Sequence, residues 1–181
     1  MKVIDTPFAE VKLIEPQVFG DERGFFLESW NRQAFADAGL DFDFVQDNHS
    51  RSSKGVLRGL HYQIVRPQGK LVRVISGRAL DVVVDVRRSS PDFGKWASFE
   101  LSADIKQLLW VPPGFAHGFM ALDDQTDFIY KCTDFYSPEL ERSVLWSDPA
   151  IGISWPLNGT SPLVSSKDAN GDFLVQAEGY P

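Results

Sequence analysis

The chain has 181 residues, of which 43% are hydrophobic and 13% aromatic, enough for a single domain, 1–181, that buries roughly 70% of the surface its unfolded chain exposes. Its one cysteine, Cys132, excludes intrachain disulfides and Cys-rich zinc sites. A formal net charge of -7 argues against nucleic-acid and anionic-membrane binding, which want a basic face, but leaves room for one small anionic ligand held by a few arginines.

From the N-terminus, MKVIDTPF carries no apolar core of signal-peptide length, and no later apolar run approaches about 18 residues. The expectation is a soluble cytoplasmic protein. NRQAFADAG (31–39) predicts a helix, with Gly39 as the residue just past its end. Beyond it the hydrophobic period is mostly two. KLVRVIS (70–76) opposes Lys70, Val72 and Val74 to Leu71, Arg73 and Ile75, and LDVVVDV (80–86) opposes Leu80, Val82, Val84 and Val86 to Asp81, Val83 and Asp85. Turn signals at Gly69, Ser76-Gly77, Ser90-Pro91, Pro112-Pro113-Gly114 and Ser137-Pro138 separate the runs. Short strands so punctuated predict an antiparallel sandwich or barrel.

Further on, FIYKCTDFY (128–136) puts Phe128, Tyr130, Cys132, Asp134 and Tyr136 on one strand face. Tyr130 and Tyr136 then lie about 20 Å apart at Cα. Two phenols on one inner wall suit an elongated ligand with an aromatic end and a reactive end. They equally suit tyrosines that pack with their hydroxyls at a rim. After Trp155 the tail is rich in Pro, Gly, Ser and Asn; it is expected to wrap the sheet as loops and short turns, and it carries SSKDANG.

The histidines are His49, His61 and His117. PPGFAHGF, with His117 in a P-x-G-x-x-H pattern, resembles the second motif of the cupin superfamily, a double-stranded β-helix or jelly roll; GLHYQIVRPQGKLVRVISG stands where the first motif belongs. A metal cupin offers H-x-H there and then a glutamate. This chain offers His61-Tyr62-Gln63 and no glutamate before Gly77, too few strong donors for a transition metal with an open position. A metal-free site is expected. His61 is then a base or a histidine that fills the core. Its company favours the base: Lys70 shares parity with apolar residues, where a lysine is rare unless paired or employed, and Tyr130 supplies a weak acid suited to protonating an enolate. His49 in QDNHS is read as a turn residue without a role.

Over nearly its whole length the chain resembles the dTDP-4-dehydrorhamnose 3,5-epimerase family, cofactor-free isomerases of dTDP-rhamnose biosynthesis. The matching segments are RGFFLESW, FVQDNHSRSSKGVLRGLHYQ, QGKLVRVISG, LDVVVDVR, LLWVPPGFAHGF, YKCTDFYSPELE, DPAIGISWP and SSKDA. So many segments in one order make a specific signal; Phe135 departs from the second tyrosine of many relatives. The resemblance implies an all-β cupin-like jelly roll with one or two short helices. It makes His61 the general base, Asp168 its dyad partner, Lys70 the enolate stabiliser and Tyr130 the acid on the opposite face. Tyr136 stacks on thymine, and Arg23, Glu28, Gln46, Asp47, Asn48, Arg58, Lys70, His117, Glu141 and Lys167 contact the nucleotide sugar. It implies no metal or organic cofactor, and a homodimer in which N-terminal segments complete the neighbour's site, so that Arg23 acts in trans.

The implied substrate, dTDP-4-dehydro-6-deoxy-D-glucose, has a C4 ketone, so hydrogens at C3 and C5 both leave to give an enolate, whose charge wants a positioned cation. Inversion needs a proton from the face opposite the base, and arginine forks match a diphosphate. The same residues also serve an epimerase inverting only C3 or only C5. A non-catalytic sugar-nucleotide binder and a metal-dependent cupin are the rivals from other classes. Strand parity raises one conflict: Arg58 and His61 fall on opposite faces unless Gly59 marks a bulge or Arg58 still lies in a loop.

Overall fold

Alternation of apolar residues builds two facing sheets, whose residues 1–180 are described by a computed structural model. One sheet runs in the order β1 (Lys2–Asp5), β2 (Lys12–Glu15), β10 (Leu108–Val111), β7 (Lys70–Ser76), β12 (Thr126–Cys132), β5 (Gln46–Ser52). The other runs β13 (Glu141–Ser143), β6 (Leu57–Gln63), β11 (Phe115–Ala121), β8 (Arg78–Asp85), β9 (Trp96–Ser102). Every pairing within them is antiparallel. The expected all-β architecture is the one observed, with only two short α-helices among the described residues, α1 (Arg32–Asp37) and α2 (Ser166–Ala169).

Between the sheets, Val72 and Val74 of β7, Leu109 and Val111 of β10 and Phe128 of β12 meet Ala79 and Val83 of β8, Leu101 of β9 and Phe115 and Phe119 of β11. The opposite parity is buried too. On the outside of the five-stranded sheet, Leu60, Tyr62, Val82, Val84 and Ala116 pack under Val144, Ile151, Leu174 and Ala177, so the tail wraps the sheet as expected. On the outside of the six-stranded sheet, Leu71, Leu108 and Trp110 pack against Phe35 of α1 and Leu40. The helix begins where Asn31 accepts a hydrogen bond from Ala34 N, and Gly39, at φ 81°, follows its end.

A third, two-stranded element stands apart from the core: the hairpin of β3 (Val18–Asp21) and β4 (Gly24–Leu27). It carries Phe19, Phe25 and Phe26, which are 59%, 60% and 64% exposed. Among the described residues no helix is long and apolar enough to cross a membrane.

Candidate active site

A cavity of about 380 Å³ opens between the ends of the two sheets. From the six-stranded sheet, the inward parity of β5 contributes Gln46, Asn48 and Ser50, β7 contributes Lys70 at its first residue, and β12 contributes Phe128, Tyr130 and Cys132. The facing wall consists of Arg58 and His61 from β6 and of His117, Gly118 and Phe119 from β11. The tail closes the rim with Ser165, Lys167 and Asp168, joined by Tyr136 and Glu141.

The parity conflict between Arg58 and His61 is resolved by a bulge. Along β11 the partners step from His117 to Phe119, while along β6 they step from His61 to Arg58, so β6 holds one residue more. Gly59 sits in that bulge at φ 124°, and a Cβ there would lie 2.5 Å from Gly118 Cα. The bulge turns both side chains into one cavity.

His61 Nε2 lies 2.6 Å from Asp168 Oδ1, and the Asp168 side chain is only 4% exposed. Ser165 caps α2 by accepting from Asp168 N at 3.1 Å, which fixes the carboxylate beneath the ring. Burial pushes the Asp168 carboxyl up, but hydrogen bonds from His61 and Ser165 and the charge of His61 outweigh it and hold the group below its ordinary value. An ionised carboxylate only accepts, so the facing ring nitrogen carries hydrogen, and in the neutral ring the opposite nitrogen is the one with a lone pair.

Lys70 Nζ donates to His61 O at 3.4 Å. Desolvation pushes its pKa down, opposed by Cys132, Glu141 and Asp81. Burial likewise raises the Tyr130 phenol, which keeps it protonated. At the rim, Tyr136 donates its hydroxyl to Glu141 Oε2 at 2.7 Å and its backbone N–H to Gln46 Oε1 at 2.9 Å. The bond to Glu141 pushes the Tyr136 phenol up to about 12, and Lys167 closes an ion pair with the same Glu141 oxygen. Arg58 is anchored at the mouth by Ser52 Oγ, 3.1 Å from Nε.

Eleven of the residues singled out in the sequence thus line one cavity: Gln46, Asn48, Arg58, His61, Lys70, His117, Tyr130, Tyr136, Glu141, Lys167 and Asp168. Three lie elsewhere in the chain. Arg23 is on the β3–β4 hairpin, bound to Asp21; Glu28 accepts from Asn31 Nδ2 at 3.0 Å; Asp47, on the outward parity of β5, pairs with Lys131 at 2.9 Å. Tyr136 departs from the expected strand face, because β12 ends at Cys132. Gln63, standing where a metal cupin has its second histidine, is buried and spent on backbone: its amide donates to Phe135 O and accepts from Ser137 N at 2.9 Å. Among the described residues no group of three or more His, Cys, Asp or Glu side chains is arranged to hold a metal ion.

The sequence reading missed Ser50, Gln68, Phe119, Phe128, Cys132 and Ser165 as lining residues. Parity gave a signal for most of them: Ser50 follows Gln46 and Asn48, Phe128 and Cys132 flank Tyr130, and Phe119 follows His117 at intervals of two.

Comparison with known proteins follows the same lines. The family model described as dTDP-4-dehydrorhamnose 3,5-epimerase matches residues 5–176. A protein of that name from Shigella flexneri is 55% identical over 180 residues, covering 98% of each chain. Another of that name from Neisseria gonorrhoeae is 56% identical over 178 residues; the match takes in 98% of this chain and 54% of that longer relative. Among solved structures, dTDP-6-deoxy-D-glucose-3,5-epimerase from Legionella pneumophila in complex with dTDP-4-keto-L-rhamnose superposes with a TM-score of 0.93 at 49% identity, covering 97% of this chain and 93% of that one.

Proposed function

Since the chain belongs to the dTDP-4-dehydrorhamnose 3,5-epimerase family and is an isomerase of that kind, we propose that it epimerises C3 and C5 of dTDP-4-dehydro-6-deoxy-D-glucose to dTDP-4-dehydro-L-rhamnose, with His61 as base and Tyr130 as acid. The C4 ketone acidifies both neighbouring C–H bonds. His61, held by Asp168, takes the hydrogen as a proton; the electron pair moves to the C4 oxygen, where the Lys70 ammonium steadies the enolate. Tyr130 returns a proton to the carbon from the other face, and the configuration inverts. The chemistry needs neither metal nor organic cofactor, because a cation and two proton carriers meet all its demands.

The observation that carries this reading is the division of labour between walls: the His61–Asp168 pair belongs to β6 and α2, whereas Tyr130 and Lys70 belong to β12 and β7 of the facing sheet. A base and an acid on opposite sides of one ring are what inversion requires, and one residue does not serve both faces. Arg58 and Lys167 at the mouth are the cations for the diphosphate, and Tyr136 is the stacking surface for thymine.

Arg23 and Glu28 enter through a homodimer. The β3–β4 hairpin exposes three phenylalanines and carries Arg23, with Glu28 just beyond it. Contiguous exposed aromatics of this kind seek a partner surface, and a second copy that received the hairpin would gain Arg23 and Glu28 at its cavity mouth.

The test is proton NMR of the keto-sugar nucleotide with the protein in deuterium oxide. Hydrogen at both C3 and C5 should wash out with inversion. His61→Asn should stop exchange at both carbons while dTDP binding survives; exchange retained in that variant would remove His61 from the base role.

A further inference from the structure

His61 and His117 are direct cross-strand partners on β6 and β11, and each has its own carboxylate. The partner of His117 is Asp81, whose two oxygens lie 3.0 and 2.9 Å from His117 Nε2. Asp81 projects from β8 on the parity that includes Ala79 and Val83, into the core between the sheets, and is 0% exposed. Unlike Asp168 it has no place on the cavity wall, while His117 does. The other flank of His117 is apolar: the Phe128 ring stands 6.2 Å away and itself stacks on Phe119 at 4.0 Å. A buried carboxylate among valines is strongly disfavoured unless it is bonded and balanced, so its presence requires a reason.

We propose that Asp81 is a positioning residue: as a carboxylate it accepts the Nε2 hydrogen of His117, fixing that ring's tautomer and plane so that the opposite nitrogen meets the bound sugar as a hydrogen-bond acceptor. An acceptor suits a sugar hydroxyl and repels an enolate oxygen. The negative oxygen is thereby left to Lys70, and His117 fixes the sugar's register while each carbon is presented to His61. Burial raises the Asp81 carboxyl above its ordinary value on balance, with the His117 hydrogen bond and the charges of His117 and Lys70 opposing it; the carboxylate role rests on the two short contacts to His117 Nε2.

The proposal rests on the epimerase reading, and the experiment separates the two. Wild-type protein is first tested for wash-out at C3 and C5 in deuterium oxide; absence of exchange would overturn the epimerase reading and this role with it. With exchange established, Asp81→Asn should lower kcat about 10²-fold, the cost of a misplaced contact, while KM and dTDP affinity stay within about threefold. A kcat within about twofold of wild type, or a loss confined to KM, would overturn the role of Asp81 alone. Should the variant not fold, nitrogen NMR of histidine-labelled wild-type protein decides. Hydrogen on Nε2 of His117 and a bare Nδ1 are expected, and a bare Nε2 would refute the carboxylate's part.

Discussion

His61 and Tyr130 owe their proposed division of labour to their surroundings. The imidazole is part-buried with its Nε2 2.6 Å from the Asp168 carboxylate, whereas the phenol sits where burial raises its pKa and keeps its proton. Tyr130→Phe should therefore leave wash-out of substrate hydrogen intact but suppress formation of inverted product by about 10²-fold or more, as loss of a general acid does. Proton NMR with product analysis checks it, and normal turnover would assign the acid elsewhere. A second residue links stability to pH. Asp127 accepts Arg51 Nε at 2.9 Å and Nη2 at 2.7 Å, and His49 Nε2 at 3.1 Å. The Arg51 bonds lead in depressing its carboxyl to about 2. Unfolded, the group titrates at about 3.9, so between these values the unfolded chain binds more protons and stability rises with pH. The contribution is complete above about pH 4 and is lost as pH falls through about 2. Asp127→Asn should lower the melting temperature at neutral pH, and the gap to wild type should close near pH 2; thermal unfolding across that range measures it, and a gap independent of pH would refute the assignment.

The β6 bulge shows what an element adds to its residues. Alternation was legible in 80–86 and in 70–74 because those stretches keep one register with their neighbours; β7 slips by one residue against β12 only between Val74 and Ser76. Period two failed where the backbone leaves the strand. FIYKCTDFY reads as nine residues of one strand, yet β12 stops at Cys132, because Thr133 Oγ1 accepts from Gly69 N and Asp134 turns to pair with Arg66. The GLH stretch hides an extra residue that only pairing against β11 reveals. Gly59→Ala would force a Cβ against Gly118 backbone at positive φ. It should cost about 1–3 kcal/mol of stability and lower kcat further than the stability loss explains, because Arg58 and His61 would no longer converge. Denaturant titration and steady-state kinetics test both parts; wild-type values would show that the bulge tolerates a side chain.

On the scale of the whole molecule, the hairpin sets the question, since Arg23 does not line the cavity of its own chain and is tied to Asp21. If a second copy receives the hairpin, inactive Arg23→Ala and His61→Asn proteins should complement one another. Each mixed dimer then holds one site with both residues intact, and random mixing should restore roughly a quarter of wild-type activity. Co-refolded mixtures assayed for turnover provide the measurement. Full activity of Arg23→Ala alone, or mixed dimers without recovery, would remove Arg23 from the partner's site.

By itself the sequence determined the all-β class, the faces of the regular strands and the identity of most of the cavity's chemical groups. Period-two patterning, turn residues and short motifs are local properties written in neighbouring letters. Tertiary structure alone decided which groups meet. Asp168 reaches His61 across 107 positions of chain and Asp81 reaches His117 across 36. A single inserted residue at Gly59 inverts the parity of everything before it. Contacts between distant segments depend on sheet order, register and bulges, and those are fixed by the packing of the whole core, which no local stretch encodes.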